Sequence, residues 1–354
     1  MKYLWKLRVI QSWDEVDDPV FLERWKKWVN DSPDVHVFNH PVMVKAWTDN
    51  YRILQDISPL YIIAETEGIK IFLPLVLWKR NWKNAFLRMI VPAGYSDYDY
   101  HDPLTTGYAE KQLMVSFWNM LEERVLGNQA FKCDIVELTG MRSPGEGGAW
   151  SLSGETCPYA TLSEYRDYAD YISKIKKSLR QDIGRQKKRL GQQGLLEYYL
   201  HSSLVTEDLL TSFRMFMSTH AGKWPNAYKA PGFHEALLQK GIPEGLVHFS
   251  ELRLDGHPVS WHLGFLFGGR FYYYMPAYLE EFSNYSPGKV HLAALVEECF
   301  ERGILIFDHL RGAENYKAGW TGDAAHVHCY NRRIDSLPSR LRLSAYDTIQ
   351  ELKR

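Results

Sequence analysis

The chain has 354 residues, 45% hydrophobic and 24% charged, the makeup of a globular protein with room for one large domain or two of about 150 residues. A formal net charge of -1 excludes a global field that would draw it to DNA or to a membrane surface, so any anion site must come from local clustering. No run approaches the roughly 20 apolar residues of a membrane-spanning helix. The N-terminal MKYLWKLRVIQSWDEVDD has no signal-peptide core or cleavage site, and Cys133, Cys157, Cys299 and Cys329 lie far apart without metal or disulfide spacing. A cytoplasmic protein with reduced thiols is expected.

In chain order, LYIIAET and IKIFLPLVLWK read as a hairpin around Glu67 and Gly68, and FLRMIVPAG as a third strand. EKQLMVSFWNMLEERVL has the spacing of an amphipathic helix, and CDIVELTG that of a buried strand. The Gly-, Ser- and Pro-rich MRSPGEGGAWSLSGETCP reads as a linker. A basic segment follows, DYISKIKKSLRQDIGRQKKRL, whose Ile172, Ile175, Leu179, Ile183 and Leu190 form one stripe of a single predicted helix. LVHFSELRL and PVSWHLGFLF then flank the turn DGH, and RFYYYMPAY is a third strand. The helix KVHLAALVEECFERG is ended by Gly303. The unalternating strand ILIFDHL, a short polar helix AENYKAGW and a last strand HVHCYNRR complete the series.

Hairpin, strand, helix, strand thus occurs twice, which predicts an internal duplication. The expected fold class is α/β, with mixed sheets covered by helices, in two domains, 1–150 and 151–354. The two sheets are expected side by side with a cleft between them.

Six places carry chemistry. In SPGKV, Ser286 is placed to cap a helix, Pro287 to open it and Gly288 to let a phosphate approach the free N–H groups; a plain N-cap is the simpler reading. Pro276 removes a ladder donor and favours a bulge or an open edge, or merely ends its strand. FDHLRGAENYKAGW puts Asp308, Arg311, Glu314, Tyr316 and Lys317 at a strand's C-terminal end, where open α/β sheets bind ligands. Asp308 or Glu314 is a candidate base and Tyr316 a candidate acid; otherwise Asp308 pairs with Arg311 and Tyr316 fills core. PAGYSDYDYHDPL offers Asp97 and Asp99 as an acceptor wall or as solvated turn residues, without the glycine and terminal glutamate of a calcium loop. THAGKW offers Lys223 and Trp224 as acceptor contacts. In the basic helix, Arg180 beside the apolar stripe is the leading candidate to grip phosphate, against a solvated face or a nucleic-acid surface.

The YSPG loop, FDHLRG, YKAGW and the upstream SLRQDIGRQKKRL with THAGKW together resemble the GNAT-type acyltransferases of the FemAB-like branch, which includes cellulose-biosynthesis and exopolysaccharide-associated acetyltransferases. The resemblance spans roughly residues 170 to 330 and departs from simple acetyltransferases in the phosphate loop, where NYSPGKV has one glycine. It implies tandem GNAT-like domains, and Tyr316, Lys317 and Arg180 as site residues. Donor contacts would also come from Ser286, Gly288 and Lys289. It implies transfer of an acetyl or other acyl group from acetyl-CoA or another acyl-CoA, used as co-substrate with no tightly bound cofactor, to an amine or hydroxyl of a saccharide or envelope precursor. Two alternatives stay open: a ligase that takes its amino acid from charged tRNA, and a non-catalytic anion- or RNA-binding protein. DNA is not an expected partner.

Overall fold

A computed structural model describes residues 3–127, 131–201, 204–312 and 314–352. The chain forms two compact units, one of residues 1–154 with 326–354 and the other of residues 155–325. The single cut expected between residues 150 and 151 is therefore replaced by a division in which the C-terminal segment returns to the first unit.

In the first unit, β1 (Lys6–Ile10) leads through α1 (Trp13–Val16), α2 (Pro19–Asn30) and α3 (Pro41–Leu54) to β2 (Asp56–Thr66). Asp18 caps α2 by accepting from the Val20 N–H, and Pro19 opens its first turn, where a missing donor costs nothing. β2 and β3 (Ile69–Lys79) form the predicted hairpin, with Glu67 and Gly68 both at positive φ (50° and 80°) as a tight turn between twisted strands requires. β4 (Arg88–Pro92) continues the antiparallel run, and β5 (Leu104–Thr105) pairs with β3. After α4 (Lys111–Leu121), β6 (Ile135–Met141) lies parallel to β4. Side chains alternate across β2: Leu60, Ile62 and Ala64 join Leu113, Phe117 and Leu121 of α4, whereas Tyr61 meets Trp25 of α2 edge-on. Each such large apolar side chain contributes about 1.5–3 kcal/mol on burial.

β7 (Trp150–Thr161) enters the second unit at Glu155 and leads through α5 (Tyr168–Lys174), α6 (Lys177–Gly191), β8 (Leu196–Leu200), α7 (Glu207–Lys223) and α8 (Phe233–Gly241) to the hairpin of β9 (Val247–Leu254) and β10 (His257–Phe267). β11 (Arg270–Tyr278), α9 (Pro287–Glu301) and β12 (Ile306–Asp308) complete it. The sheet order is β7-β12-β11-β10-β9-β8, with β11 and β12 parallel. A helix crossover to a parallel strand after three antiparallel strands thus occurs in both units, as the repeated element order predicts. The core under α9 gathers Leu292, Leu295, Val296, Phe271, Tyr273 and Phe307.

The chain then returns to the first unit. β13 (Asp323–Arg333) pairs antiparallel with β6, and α10 (Leu337–Glu351) seats Leu343 and Tyr346 against Leu87, Met89 and Ile135.

Several local expectations change. Part of the predicted linker is strand β7, whose Tyr159–Thr161 end pairs with β12; an available edge prevails over a turn-rich composition. The single basic helix is two, because Ile175 is extended (φ -66°, ψ 165°) and ends α5. Tyr316 and its neighbours form only a short 3-10 turn, Lys317–Gly319. Ser286 does not cap α9 with its side chain. It sits at φ 50°, and its carbonyl accepts from Lys289 N–H at 3.0 Å, while Pro287 opens the helix as expected.

Candidate active site

The second unit's chemistry converges on β11. Its ladder with β12 stops at Tyr272 opposite Asp308, yet β11 runs on to Tyr278. Past Tyr272 its β12-facing edge has no strand partner among the described residues. The pairing with β10 slips between Leu263 and Gly264, which leaves Tyr274 as the extra residue of a bulge two positions before Pro276. A bulged strand with one open edge presents backbone N–H groups that a ligand can engage.

Where β12 ends, Asp308 is fully buried and accepts from Arg270 Nη1 at 2.8 Å and from the Leu310 N–H at 2.8 Å. It pairs with Arg270 rather than Arg311, whose Nε lies 3.3 Å from Glu155. Leu310 is left-handed (φ 58°), a costly conformation for a branched residue, and the Asp308 carboxylate ties that turn. His309 between them is buried, and neither of its ring nitrogens has a hydrogen-bond partner. Burial, with Lys317 nearby, pushes its pKa down to about 3, so the ring is neutral.

Tyr273 on β11 joins these groups. His262 stacks on it at 4.3 Å and 12°, His309 lies 5.7 Å away, and Tyr316 meets it edge-on at 6.4 Å. Tyr316 is 41% exposed, so it forms the open end of a buried aromatic and imidazole column. Burial, reinforced by Glu314, raises its phenol above the ordinary tyrosine value and keeps it protonated at neutral pH. Lys317 is buried: its ammonium donates to Arg311 O at 3.0 Å and pairs with Glu314 at 2.8 Å, which fixes the loop that carries Tyr316.

A second group surrounds Tyr278 at the far end of β11, about 17 Å along the strand from Tyr273. Lys223 donates to the Tyr278 hydroxyl at 3.3 Å and lies 4.9 Å over its ring. The position a Cβ would take on Gly288 is 3.4 Å from that ring, so the start of α9 packs closely here. Lys289 pairs with Asp182, joining α9 to α6. Trp224, which ends α7, is exposed.

The structure therefore brings Tyr316, Lys317, Glu314, Arg311 and Asp308 together, and Lys223, Gly288 and Lys289 together. Although its neighbour Leu179 packs on Gly319, Arg180 makes no hydrogen bond or ion pair with either set among the described residues. Its guanidinium donates to the carbonyls of Ile172 (3.4 Å) and Ser173 (2.5 Å) at the end of α5, a capping role. Asp97 and Asp99 belong to the first unit, where the Asp97 carboxylate accepts from Trp47 Nε1 (2.8 Å) and the Tyr51 hydroxyl (2.7 Å). Sequence reasoning missed His309, His262, Tyr273 and Arg270. The signal available was an unalternating strand carrying a histidine directly after Asp308.

The chain is thus a mixed α/β protein of two units, each with the helix crossover to a parallel strand. Residues 177–318 match the family model described as Acetyltransferase (GNAT) domain. The full-length fold is similar to the crystal structure of FemX, at 10% identity and a TM-score of 0.59, covering 90% of this chain and 98% of that one. It is also similar to L-PGS from Bacillus licheniformis (11% identity, TM-score 0.53, 94% and 97% covered) and to a conserved protein of unknown function from Bacteroides thetaiotaomicron (11%, 0.52, 87% and 96%). No curated protein matches the sequence. No helix among the described residues is long and apolar enough to cross a membrane.

Proposed function

We propose that the chain is a cytoplasmic acyltransferase that moves an acetyl or other acyl group from an acyl-CoA thioester to an amine or hydroxyl of a saccharide or other envelope precursor. The observation that carries this reading is the open edge of β11 past Tyr272 with the protonated Tyr316 beside it. A donor lying along that edge gains strand-like hydrogen bonds, and a backbone N–H that faces the thioester carbonyl stabilises the negative charge developing on its oxygen. The acceptor nitrogen or oxygen attacks the carbonyl carbon. As the new bond forms and the C–S bond breaks, the departing thiolate takes the Tyr316 phenol proton, and the acceptor's proton passes to Glu314 or to water. Tyr316 is exposed enough to recover its proton from solvent.

Donor phosphates are assigned to the start of α9, where the Gly288 N–H, Lys289 and, beside Tyr278, Lys223 are the candidate contacts. Trp224 and Arg311 supply acceptor contacts in the same unit. Asp308, buried against Arg270, serves as a positioning residue in this scheme rather than as the base. Arg180 holds α5 in place. A second reading, transfer of an aminoacyl group from charged tRNA, is favoured by Lys177, Lys187 and Lys188 of α6, which are exposed.

Calorimetric titration with acetyl-CoA and with charged tRNA separates the two. Saturable acetyl-CoA binding is expected, and Tyr316→Phe lowers kcat by about 10²–10⁴-fold while donor KM holds. Binding of charged tRNA alone, falling steeply with salt, would move the assignment to the second reading. A wild-type rate in Tyr316→Phe removes the acid role.

A further inference from the structure

The loop from β3 to β4 reads KRNWKNAFLR over residues 79–88; of its four cations Lys79 pairs with Asp56 at 3.5 Å and Arg88 with Asp134 at 3.2 Å, which leaves Arg80 and Lys83 beside the aromatics. Trp82 is 66% exposed and Phe86 64% exposed, an unusual cost for two large aromatics on one short loop. The loop is held in shape. The Asn81 side chain accepts from the Lys83 N–H at 3.1 Å, its carbonyl accepts from the Phe86 N–H at 3.1 Å, and the Arg80 N–H donates to Leu87 O at 2.7 Å. Ala85 and Phe86 are both left-handed (φ 52° each) although neither is glycine. Leu87 is buried against Ile135 and Leu343, so the neighbouring Phe86 is turned outward. The 3-10 turn Trp82–Asn84 rests against α10, whose Leu337 and Leu341 are 72% and 66% exposed. The Lys83 ammonium lies 5.8 Å over the Trp82 ring, and Arg80 lies 4.2 Å over Trp78.

We propose that this loop, with the exposed start of α10, docks the protein on the surface of a membrane bearing anionic phospholipids. Aromatic side chains beside cations suit the headgroup layer, where rings sit at the boundary and Arg and Lys meet lipid phosphates. Protein interfaces are instead depleted in lysine at their centres. The strained, hydrogen-bonded backbone presents the aromatics already ordered, so little freedom is lost on insertion. The proposal is independent of the transfer chemistry, which lies in the other unit.

The test is co-sedimentation of the full chain with vesicles of phosphatidylcholine alone and with a quarter phosphatidylserine. Binding is expected only with phosphatidylserine and falls as salt rises. Arg80→Glu with Lys83→Glu should lower partitioning at least about twenty-fold, from roughly fivefold per cation lost. Trp82→Ala with Phe86→Ala should lower it at least about tenfold. Leu337→Ser with Leu341→Ser gives a separate check on the α10 side, with a several-fold loss. All six side chains are exposed or on the loop surface, so unchanged thermal melting confirms folded variants. The proposal fails if the wild type does not bind the anionic vesicles, or if binding survives both loop variants. It also fails if the aromatic variant instead converts a dimer to a monomer, or abolishes binding of single-stranded RNA while vesicles stay unbound.

Discussion

Asp308→Asn separates a positioning carboxylate from a catalytic one. At 2.8 Å from Arg270, the charge pair is worth about 6 kcal/mol before desolvation at an effective dielectric near 20. Burying a carboxylate offsets much of that, and breaking a buried pair usually costs about 3–5 kcal/mol. The Arg270 side chain keeps 21% of its surface and can rehydrate, which puts the expected loss for asparagine at about 2–3 kcal/mol. Asparagine still accepts from the Leu310 N–H, so the left-handed turn survives. Asp308→Ala removes that acceptor as well and adds about 1–3 kcal/mol for a buried, unsatisfied donor. Urea unfolding, with the slope checked for constancy, gives both values. Transfer assays on the asparagine variant, run where it remains folded, should stay within a few-fold of wild type, whereas loss of a general base costs about 10²–10⁴-fold. An asparagine variant as stable as the parent refutes the argument.

Acid should weaken the second unit before it reaches the carboxylates. Burial holds His234, His291 and His309 at about 3 and His220 at about 4, while an unfolded histidine titrates near 6.5. The unfolded chain binds more protons between those values, so this stability is complete above about pH 6.5 and is lost as pH falls toward 4, by up to about 1.4 kcal/mol per histidine per pH unit. A urea midpoint that is flat between pH 7 and 5 contradicts this. Gly264→Ala should cost about 3 kcal/mol, because the new Cβ would lie 2.7 Å from the Tyr272 carbonyl and 2.4 Å from the His262 ring; thermal melting reads it directly. Arg180→Ala should cost about 1 kcal/mol through the freed α5 carbonyls and leave donor affinity unchanged in the acetyl-CoA titration.

What the sequence made legible is local. The turns at Glu67–Gly68 and Asp255–Gly256 follow from Gly68, Asp255 and Gly256, residue types that tolerate positive φ, and each hairpin is where that chemistry puts it. α9 begins at Pro287 and ends before Gly303 at φ 66° for the same reason. Partner choice was not legible. Nothing in HVHCYNRR tells which strand it will join, and it pairs with β6 of the first unit. The histidines were equally hidden, because their meaning lies in cross-element contacts. His248 lies 2.9 Å from Glu298, and His291 sits between Ser250 (3.0 Å) and Ser260 (3.1 Å). A helical stripe shows Val290 and Leu295 as core but does not show that His291 and Glu298 are buried with them. The site column fails to appear in sequence for the same reason, since Tyr273 and Tyr316 meet only once β11 and the loop after β12 have folded.

The concentration of cations between residues 170 and 190 in a chain of net charge -1 is resolved by sorting them by what they touch. Arg180 is spent on α5 carbonyls, Arg185 on Asp182, and Arg189 on the Asn284 carbonyl at 3.1 Å while lying 5.2 Å over Tyr285. Lys289 of α9 also reaches Asp182, so one acid links the two helices. The contacts of Lys289 and Arg189 hold α6 against the start of α9 and the turn before it. Lys177, Lys187 and Lys188 remain exposed. Part of the basic segment therefore fixes the start of α9, the proposed donor end, and part remains exposed. A ligand that uses the first part alone is CoA-sized, and one that uses both must extend beyond it, which is why the salt dependence of donor binding discriminates between the two transfer reactions.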